Sequence, residues 1–333
     1  MPLEALRYDL TPVGLHYVLV HYDIPMVKAE TFRLRVEGHV DHPMELTLAD
    51  IAARPQVEAT VTLECAGNGR ALLDPRPVSQ PWLDGAIGTA RWSGTPLAPL
   101  LEEAGLRPGA VAVAFAGLDH GLEGDEEQDY ERGLSLGEAL RPDLLLATEM
   151  NGAPLPPQHG FPLRLVVPGW YGMTSVKWLT RIRVLDAPFD GYQNRTGYRW
   201  KTSEGDPGIP VERIQVRSLM APPGYPSFLP RERHLPPGPA TLEGRAWSGQ
   251  GEIVRVEVST DGGATWTDAD LGPMPEPNAW RAWSFAWEAT AGSHILCSRA
   301  TDMSGATQPM EAIWNVGGYA NNAVQRTVVT VTV

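Results

Sequence analysis

Residues 57–70 read VEATVTLECAGNGR: a β-branched run that ends at a cysteine and a glycine-rich turn. The alternation through 57–63 predicts a strand. That strand delivers the backbone into Glu64-Cys65-Ala66-Gly67-Asn68-Gly69-Arg70. Upstream, residues 31–40 (TFRLRVEGHV) alternate apolar and polar side chains, predicting a strand that ends at Gly38. Residues 46–53 form a short helix candidate, capped by Thr47 and stopped by Pro55. Downstream, 96–105 (PLAPLLEEAG) reads as a helix and 111–116 as a strand. The runs 134–140 and 144–147 lead into the turn Asn151-Gly152, and 164–167 is a further strand. No βαβ rhythm links these pieces, so the first two hundred residues read as mixed α and β.

From about residue 205 the pattern changes. Strand-like pieces recur at 214–217, 240–247, 253–259, 283–287, 294–300, 313–316 and 326–333, with Asp261-Gly262-Gly263 as a hairpin loop. Short strands at that spacing imply an antiparallel, immunoglobulin-like β-sandwich. Proline-rich stretches at 221–230 and 235–239 lie near its start. The expected fold class is therefore α+β, divided into domains 1–205 and 206–333, with no internal repeat.

Composition narrows the function. A net charge of −13 lacks the basic footprint of a nucleic-acid binder, although a few local arginines can still hold an anionic substrate. No segment approaches the roughly 20 apolar residues of a membrane-spanning helix. Residues 1–12 contain one arginine, Arg7, without a twin-arginine pair or apolar core, so they do not read as an export signal. The expected location is the cytoplasm, or the periplasm if a leader has been removed. Two cysteines, Cys65 and Cys297, sit in unlike contexts, so a disulfide framework does not hold the fold.

Cys65 is the candidate for chemistry. N–H groups of the turn and Arg70 favour a thiolate there, and Gly67 and Gly69 let the backbone approach something bulky. A soft thiolate suits a redox-active transition metal. Three other readings stand beside it. Cys65 is a buried structural cysteine; or it binds zinc with His39 and His42, although no second cysteine lies near them; or it is a nucleophile with His159 or His120 as base.

The cysteine loop resembles that of sulfite oxidases and assimilatory nitrate reductases, and further blocks match in the same order. They are Trp82 to Gly94 (WLDGAIGTARWSG), Ala147 to Gly152 (ATEMNG), His159 to Gly169 (HGFPLRLVVPG) and Val176-Lys177-Trp178-Leu179. In the second half Ala246-Trp247-Ser248-Gly249, residues 254–266 (VRVEVSTDGGATW) and Trp314-Asn315 resemble the family's dimerisation domain. The resemblance implies a molybdopterin-binding catalytic domain over 1–205 and a β-sandwich dimerisation domain over 206–333. It implies a molybdenum–molybdopterin cofactor with Cys65 as the metal's protein ligand. It assigns His21, Asp119, His159, Arg164, Ser175, Val176 and Lys177 to the pterin and its phosphate. Arg164 and Lys177 suit a phosphate on physical grounds as well. Tyr198 corresponds to the active-site tyrosine, Trp82 to a tryptophan lining the substrate pocket, and Arg70 to one arginine around the oxyanion.

The chain departs from the family pattern at two further arginine positions, where Leu19 and Gly317 stand. Losing two charged contacts of about 1.5–3 kcal/mol each weakens sulfite binding by orders of magnitude, unless Arg195 or Arg199 compensates. The expectation is a homodimeric enzyme that oxidises sulfite or a related small sulfur compound by oxygen-atom transfer. No haem-attachment motif or haem domain is evident, so electrons pass to an external acceptor such as a cytochrome. Alternatives are a molybdenum-dependent reductase of a small oxyanion or S-oxide, and a cofactor-free binding protein. Trp280 and Trp283 are the aromatics expected to anchor the dimer contact.

Overall fold

The computed structural model describes residues 1–332. Two compact units form, and they interleave along the sequence. One comprises Val18–Cys65 and Ala90–Glu212; the other comprises Met1–Tyr17, Ala66–Thr89 and the chain from Arg213 onward.

The first unit is α+β. Its five-stranded sheet runs, in spatial order, Met44–Leu46, Leu34–Gly38, Arg181–Leu185, Ala112–Glu123 and Glu126–Ser135. Only Leu34–Gly38 and Arg181–Leu185 pair in parallel. A second sheet joins Val57–Glu64, Ile87–Pro96, Leu145–Met150 and Ala153–Pro154, with Arg164–Val166 also on Leu145–Met150. The helix Leu48–Ala52 starts at the expected cap, where Thr47 Oγ1 accepts from Asp50 N at 3.1 Å and Asp50 accepts from Thr47 N at 2.8 Å. Helix Leu97–Ala104 buries Leu97, Leu100, Leu101 and Ala104, and ends at Gly105, whose φ of +71° a side chain would resist. Leu34, Val36, Phe115, Leu146, Leu165 and Ile182 fill the core. The long hairpin of Ala112–Glu123 and Glu126–Ser135 extends well past the expected strand at 111–116. Its outer half is rich in acidic residues and lacks the apolar alternation by which a strand is read.

The second unit contains the β-sandwich. One sheet orders Arg217–Met220, Gly238–Trp247, Arg281–Ala289 and Asp270–Leu271. The other orders Tyr225–Pro226, Arg233–Leu235, Arg326–Val331, Gly292–Asp302, Ile253–Ser259 and Thr267–Asp268. Leu242, Val256, Trp283, Trp287, Leu296 and Val329 form its core. One pairing, Arg233–Leu235 with Arg326–Val331, is parallel. Three expectations need correction or trimming. The strand expected at 214–217 begins only at Arg217. Residues 313–316 are irregular, because Asn315 turns its amide onto the backbone of Tyr319 instead of leaving a ladder-ready strand. The last strand is Arg326–Val331, and the final residue of the expected 326–333 lies outside the described residues.

The tryptophans expected at a dimer contact are interior. Trp280 and Trp283 are only 4% and 2% exposed. Trp280 Nε1 donates to the Asp9 carbonyl at 2.8 Å. Trp283 lies directly across the strand pair from Gly244, where a Cβ would come within 2.4 Å of its ring. Trp283 is thus a keystone of the sandwich. Trp283→Ala should destabilise the protein by about 3–5 kcal/mol through the cavity it leaves, seen as a lower denaturation midpoint in guanidinium.

Candidate active site

The sequence-predicted residues fall into two clusters, one in each unit. In the α+β unit, strand Val57–Glu64 ends directly at Cys65, which is 6% exposed. Neither Cys65 nor Cys297 forms a disulfide. Among the described residues no three His, Cys, Asp or Glu side chains gather as a metal-holding group, which speaks against the zinc reading with His39 and His42.

The same unit assembles His21, Asp119, His159, Arg164, Ser175, Val176, Lys177 and Tyr198. Arg164 is buried; its guanidinium donates to the carbonyls of His159 at 3.0 Å and Ser175 at 3.2 Å, and lies 4.7 Å from the Trp92 ring. Ser175 Oγ is occupied by Val167 N at 3.1 Å, so Ser175 acts locally through its backbone and hydroxyl to fix the loop. Gly160 has φ +107°, and a Cβ there would press within 3.1 Å of both Arg164 and Lys177, so the glycine lets these two side chains come together. Lys177 Nζ donates to the carbonyls of Leu19 at 2.6 Å and Gln158 at 3.3 Å. Burial, reinforced by Arg164, lowers the Lys177 pKa to about 7. Burial raises the Asp119 carboxyl to about 6, and its Oδ1 finds no hydrogen-bond partner among the described residues.

These observations fit a molybdopterin. A carboxylate oxygen left without a donor suits the amino groups of a pterin ring. Two cations drawn together at Gly160 with carbonyl partners suit a phosphate.

Tyr198 leaves the π-helical turn Gln193–Gly197 and is 8% exposed. Its hydroxyl lies 2.5 Å from His21 Nε2. Burial, with help from Lys177 and Arg132, pushes the His21 pKa down to about 3, so the imidazole is neutral at ordinary pH. The His21 ring stacks on Tyr130 at 4.2 Å, and the Arg132 guanidinium sits 5.4 Å from the Tyr198 ring. Tyr130 and Arg132 are two residues apart on one face of the strand Glu126–Ser135. Sequence reasoning missed both, since nothing in an acidic hairpin signals that one face is buried.

In the second unit the turn after Cys65 is held by the β-rich segment. Ala320 N donates to the Ala66 carbonyl at 2.8 Å, and Asn321 Nδ2 to the Gly69 carbonyl at 2.8 Å. Arg217, 1% exposed, donates to Asp84 at 2.5 Å and to the carbonyl of Asn321 at 2.9 Å. Arg70 is buried, with Nε on the Gly317 carbonyl at 2.7 Å, Nη1 on Ser79 Oγ at 3.1 Å, and the Tyr319 ring 5.1 Å away. Trp82 is half-buried, edge-on to Tyr17 at 6.4 Å, and its Nε1 has no acceptor among the described residues.

Comparison with known proteins agrees with this chemistry. Residues 21–193 match the family model of an oxidoreductase molybdopterin binding domain, and 210–332 that of a Mo-co oxidoreductase dimerisation domain. The chain belongs to the sulfite oxidase family. It is 39% identical to sulfite oxidase of Gallus gallus over 97% of this chain and 73% of that protein. It is 36% identical to mitochondrial sulfite oxidase of Homo sapiens, over 98% of this chain and 62% of the relative. Nitrate reductase [NADH] 1 of Arabidopsis thaliana is 33% identical over 96% of this chain and 38% of its own length. Among solved structures, the sulfane dehydrogenase SoxCD from Paracoccus pantotrophus superposes with a TM-score of 0.86 at 28% identity, covering 100% of this chain and 86% of that one. As a family member, the chain is a molybdenum-dependent oxidoreductase with a molybdopterin cofactor, and its dimerisation domain supports a homodimer. No helix among the described residues is long and apolar enough to cross a membrane.

The electrostatics generate a test. Charging Lys177 in the folded, cofactor-free protein is penalised from its unfolded pKa near 10.5 down to about 7, and below that the penalty is complete. Lys177→Met should therefore stabilise the cofactor-free protein at pH 6 by roughly 1–3 kcal/mol while abolishing cofactor retention. Thermal melting of the cofactor-free variant and molybdenum content after expression in a competent host check the two halves.

Proposed function

We propose that this sulfite oxidase family member oxidises sulfite or a related small sulfur compound and passes the electrons to an external acceptor. The observation that carries this reading is the buried Tyr198–His21 pair, a phenol hydrogen-bonded to an imidazole that burial keeps neutral, with Lys177 and Arg132 nearby. Sulfur-compound relatives support it: sulfite oxidase in sequence and a sulfane dehydrogenase in structure. The domains proposed for these roles are 1–205 for the cofactor and catalysis and 206–333 for dimerisation.

When bound, the cofactor supplies two-electron, oxygen-atom-transfer chemistry at molybdenum. The roles of the chain's own residues follow from their placement. Cys65 would supply the metal's thiolate. Lys177, Arg164 and His159 would hold the phosphate end, with Asp119, Ser175 and Val176 along the pterin. Tyr198, its hydroxyl oriented by His21, would donate its one proton to a substrate oxygen. Arg70, preorganised by Gly317, Ser79 and Tyr319, would offer a fixed positive charge to an oxyanion, and Trp82 would wall the substrate pocket.

Arg195 and Arg199 do not replace the arginines missing at Leu19 and Gly317. Arg195 is exposed and forked onto Glu126 at 2.9 and 3.0 Å; Arg199 is committed to the carbonyls of Pro207, Gly208 and Asn194. Gly317 cannot simply be restored to arginine. Its φ is ordinary, but a Cβ there would lie 2.3 Å from the Tyr319 ring that faces Arg70.

Cys65→Ser should lose turnover and bound molybdenum while keeping the thermal midpoint within a few degrees, because a serine hydroxyl is a harder and far less acidic ligand. Full activity in the metal-quantified variant would sink the assignment of Cys65. For substrate, steady-state assay against sulfite, thiosulfate, S-oxides and nitrate with dye acceptors or donors decides the class. Sulfite should show a high KM, and Leu19→Arg, which leaves the Leu19 carbonyl to Lys177, should lower it roughly tenfold or more. A wild-type sulfite KM in the low micromolar range would overturn the argument from the missing arginines.

A further inference from the structure

We propose that Arg132 is a specificity-determining residue: its buried guanidinium under Tyr198 is the fixed positive charge that makes this part of the site prefer an anionic substrate over an uncharged one. The inference rests on the reading of Tyr198 as the substrate-facing tyrosine.

Arg132 is 2% exposed and points from the strand Glu126–Ser135 towards the segment that ends in Tyr198. One guanidinium nitrogen donates to the Gln193 carbonyl, at the start of the π-helical turn that delivers Tyr198. The next residue locks the same turn reciprocally: Gly133 N donates to Asn194 Oδ1 at 3.1 Å, and Asn194 Nδ2 to the Gly133 carbonyl at 3.0 Å. The cation is therefore held at a defined place, 5.4 Å from the Tyr198 ring centre. Tyr198 in turn meets His21, which rests on Tyr130 from the same strand. Tyr22, Glu123, Asp119 and Lys177 complete the charged and titratable surroundings. His21 is neutral there, so it lends no charge of its own, and burial dominates its low pKa with Lys177 and Arg132 adding to it.

A buried charge acts through a medium far less polarisable than water, so its field reaches several ångströms with little screening. A dianion received at the Tyr198 hydroxyl would feel Arg132 without touching it. An uncharged molecule of the same shape would not. Leu19 offers no charge, Glu126 pairs with Arg195, and Lys177 is committed to the carbonyls of Leu19 and Gln158, so Arg132 is the cation that lies over the Tyr198 ring itself.

The test compares sulfate, an unreactive dianion, with dimethyl sulfone, its uncharged relative in shape. Chemical-shift titration of the molybdenum-loaded protein measures both affinities in wild type, Arg132→Gln and Arg132→Lys, with thermal melting as the folding control. Sulfate should bind about tenfold more weakly to the Gln variant and recover to within about threefold in the Lys variant, while the sulfone affinity changes less than about twofold. Equal losses for both ligands would reveal a merely structural arginine and overturn the proposal. So would unchanged sulfate affinity in Arg132→Gln, a Lys variant no better than Gln, or no saturable sulfate binding to wild type. Should Arg132→Gln fail to fold, the Lys variant and Arg132→Met are read by the same ratio of sulfate to sulfone affinity. If sulfite proves not to be turned over while sulfate binding still depends on Arg132, the substrate assignment fails and the selectivity assignment stands.

Discussion

Desolvated charge in the α+β unit is the constraint on which the rest depends. Asp119, Arg132 and Arg164 are buried there, and Lys177 is held against backbone carbonyls. Removing such groups from water costs several kcal/mol each unless partners repay it. The shifts of Asp119 up to about 6 and Lys177 down to about 7 are that cost expressed as proton affinity. A fold selected for stability alone would fill these positions with apolar side chains. The Asp119 oxygen left without a donor among the described residues, and the neighbouring cations Arg164 and Lys177, fit a large polar cofactor.

The second unit solves a different problem, the placement of a turn. The stretch 66–89 carries no regular structure before the strand Ile87–Pro96 apart from one short turn of helix, so it needs external supports. Arg217 and Asn321 provide them from positions far away in sequence, through Asp84 and the Gly69 carbonyl. Arg217 and Asp84 form an ion pair with one fully buried partner, which adds little net stability by itself. Its value lies in geometry, since breaking one side would strand a charge and release the turn that carries Arg70.

The two tasks explain why the compact units do not follow one cut in the sequence. The cysteine terminates a strand of the α+β unit, while the glycine turn that follows it is hydrogen-bonded within the sandwich-containing unit. Gly67 contributes to that arrangement: a Cβ there would lie 2.6 Å from the Arg70 guanidinium, which folds back over the turn. At both glycines of the turn it is the chain's own side chains that come close, Arg70 at Gly67 and Asn321 at Gly69.

From sequence alone, local chemistry was legible. Alternation placed the strand before Cys65, Thr47 announced a capped helix, and ordered motif blocks identified the cofactor class, because each of these signals is carried by neighbouring residues. Tertiary structure alone decided what depends on distant residues meeting. Arg132 and Tyr130 reach His21 and Tyr198 only because one face of an acidic hairpin is covered. Trp280 and Trp283 turn inward because Gly244 and Asp9 make room and hydrogen bonds for them. Gly317 became the acceptor for Arg70 rather than merely the site of a missing arginine. Burial and pairing across more than a hundred residues leave no periodic trace in a single sequence, and they are what set charge and proton affinity at this site.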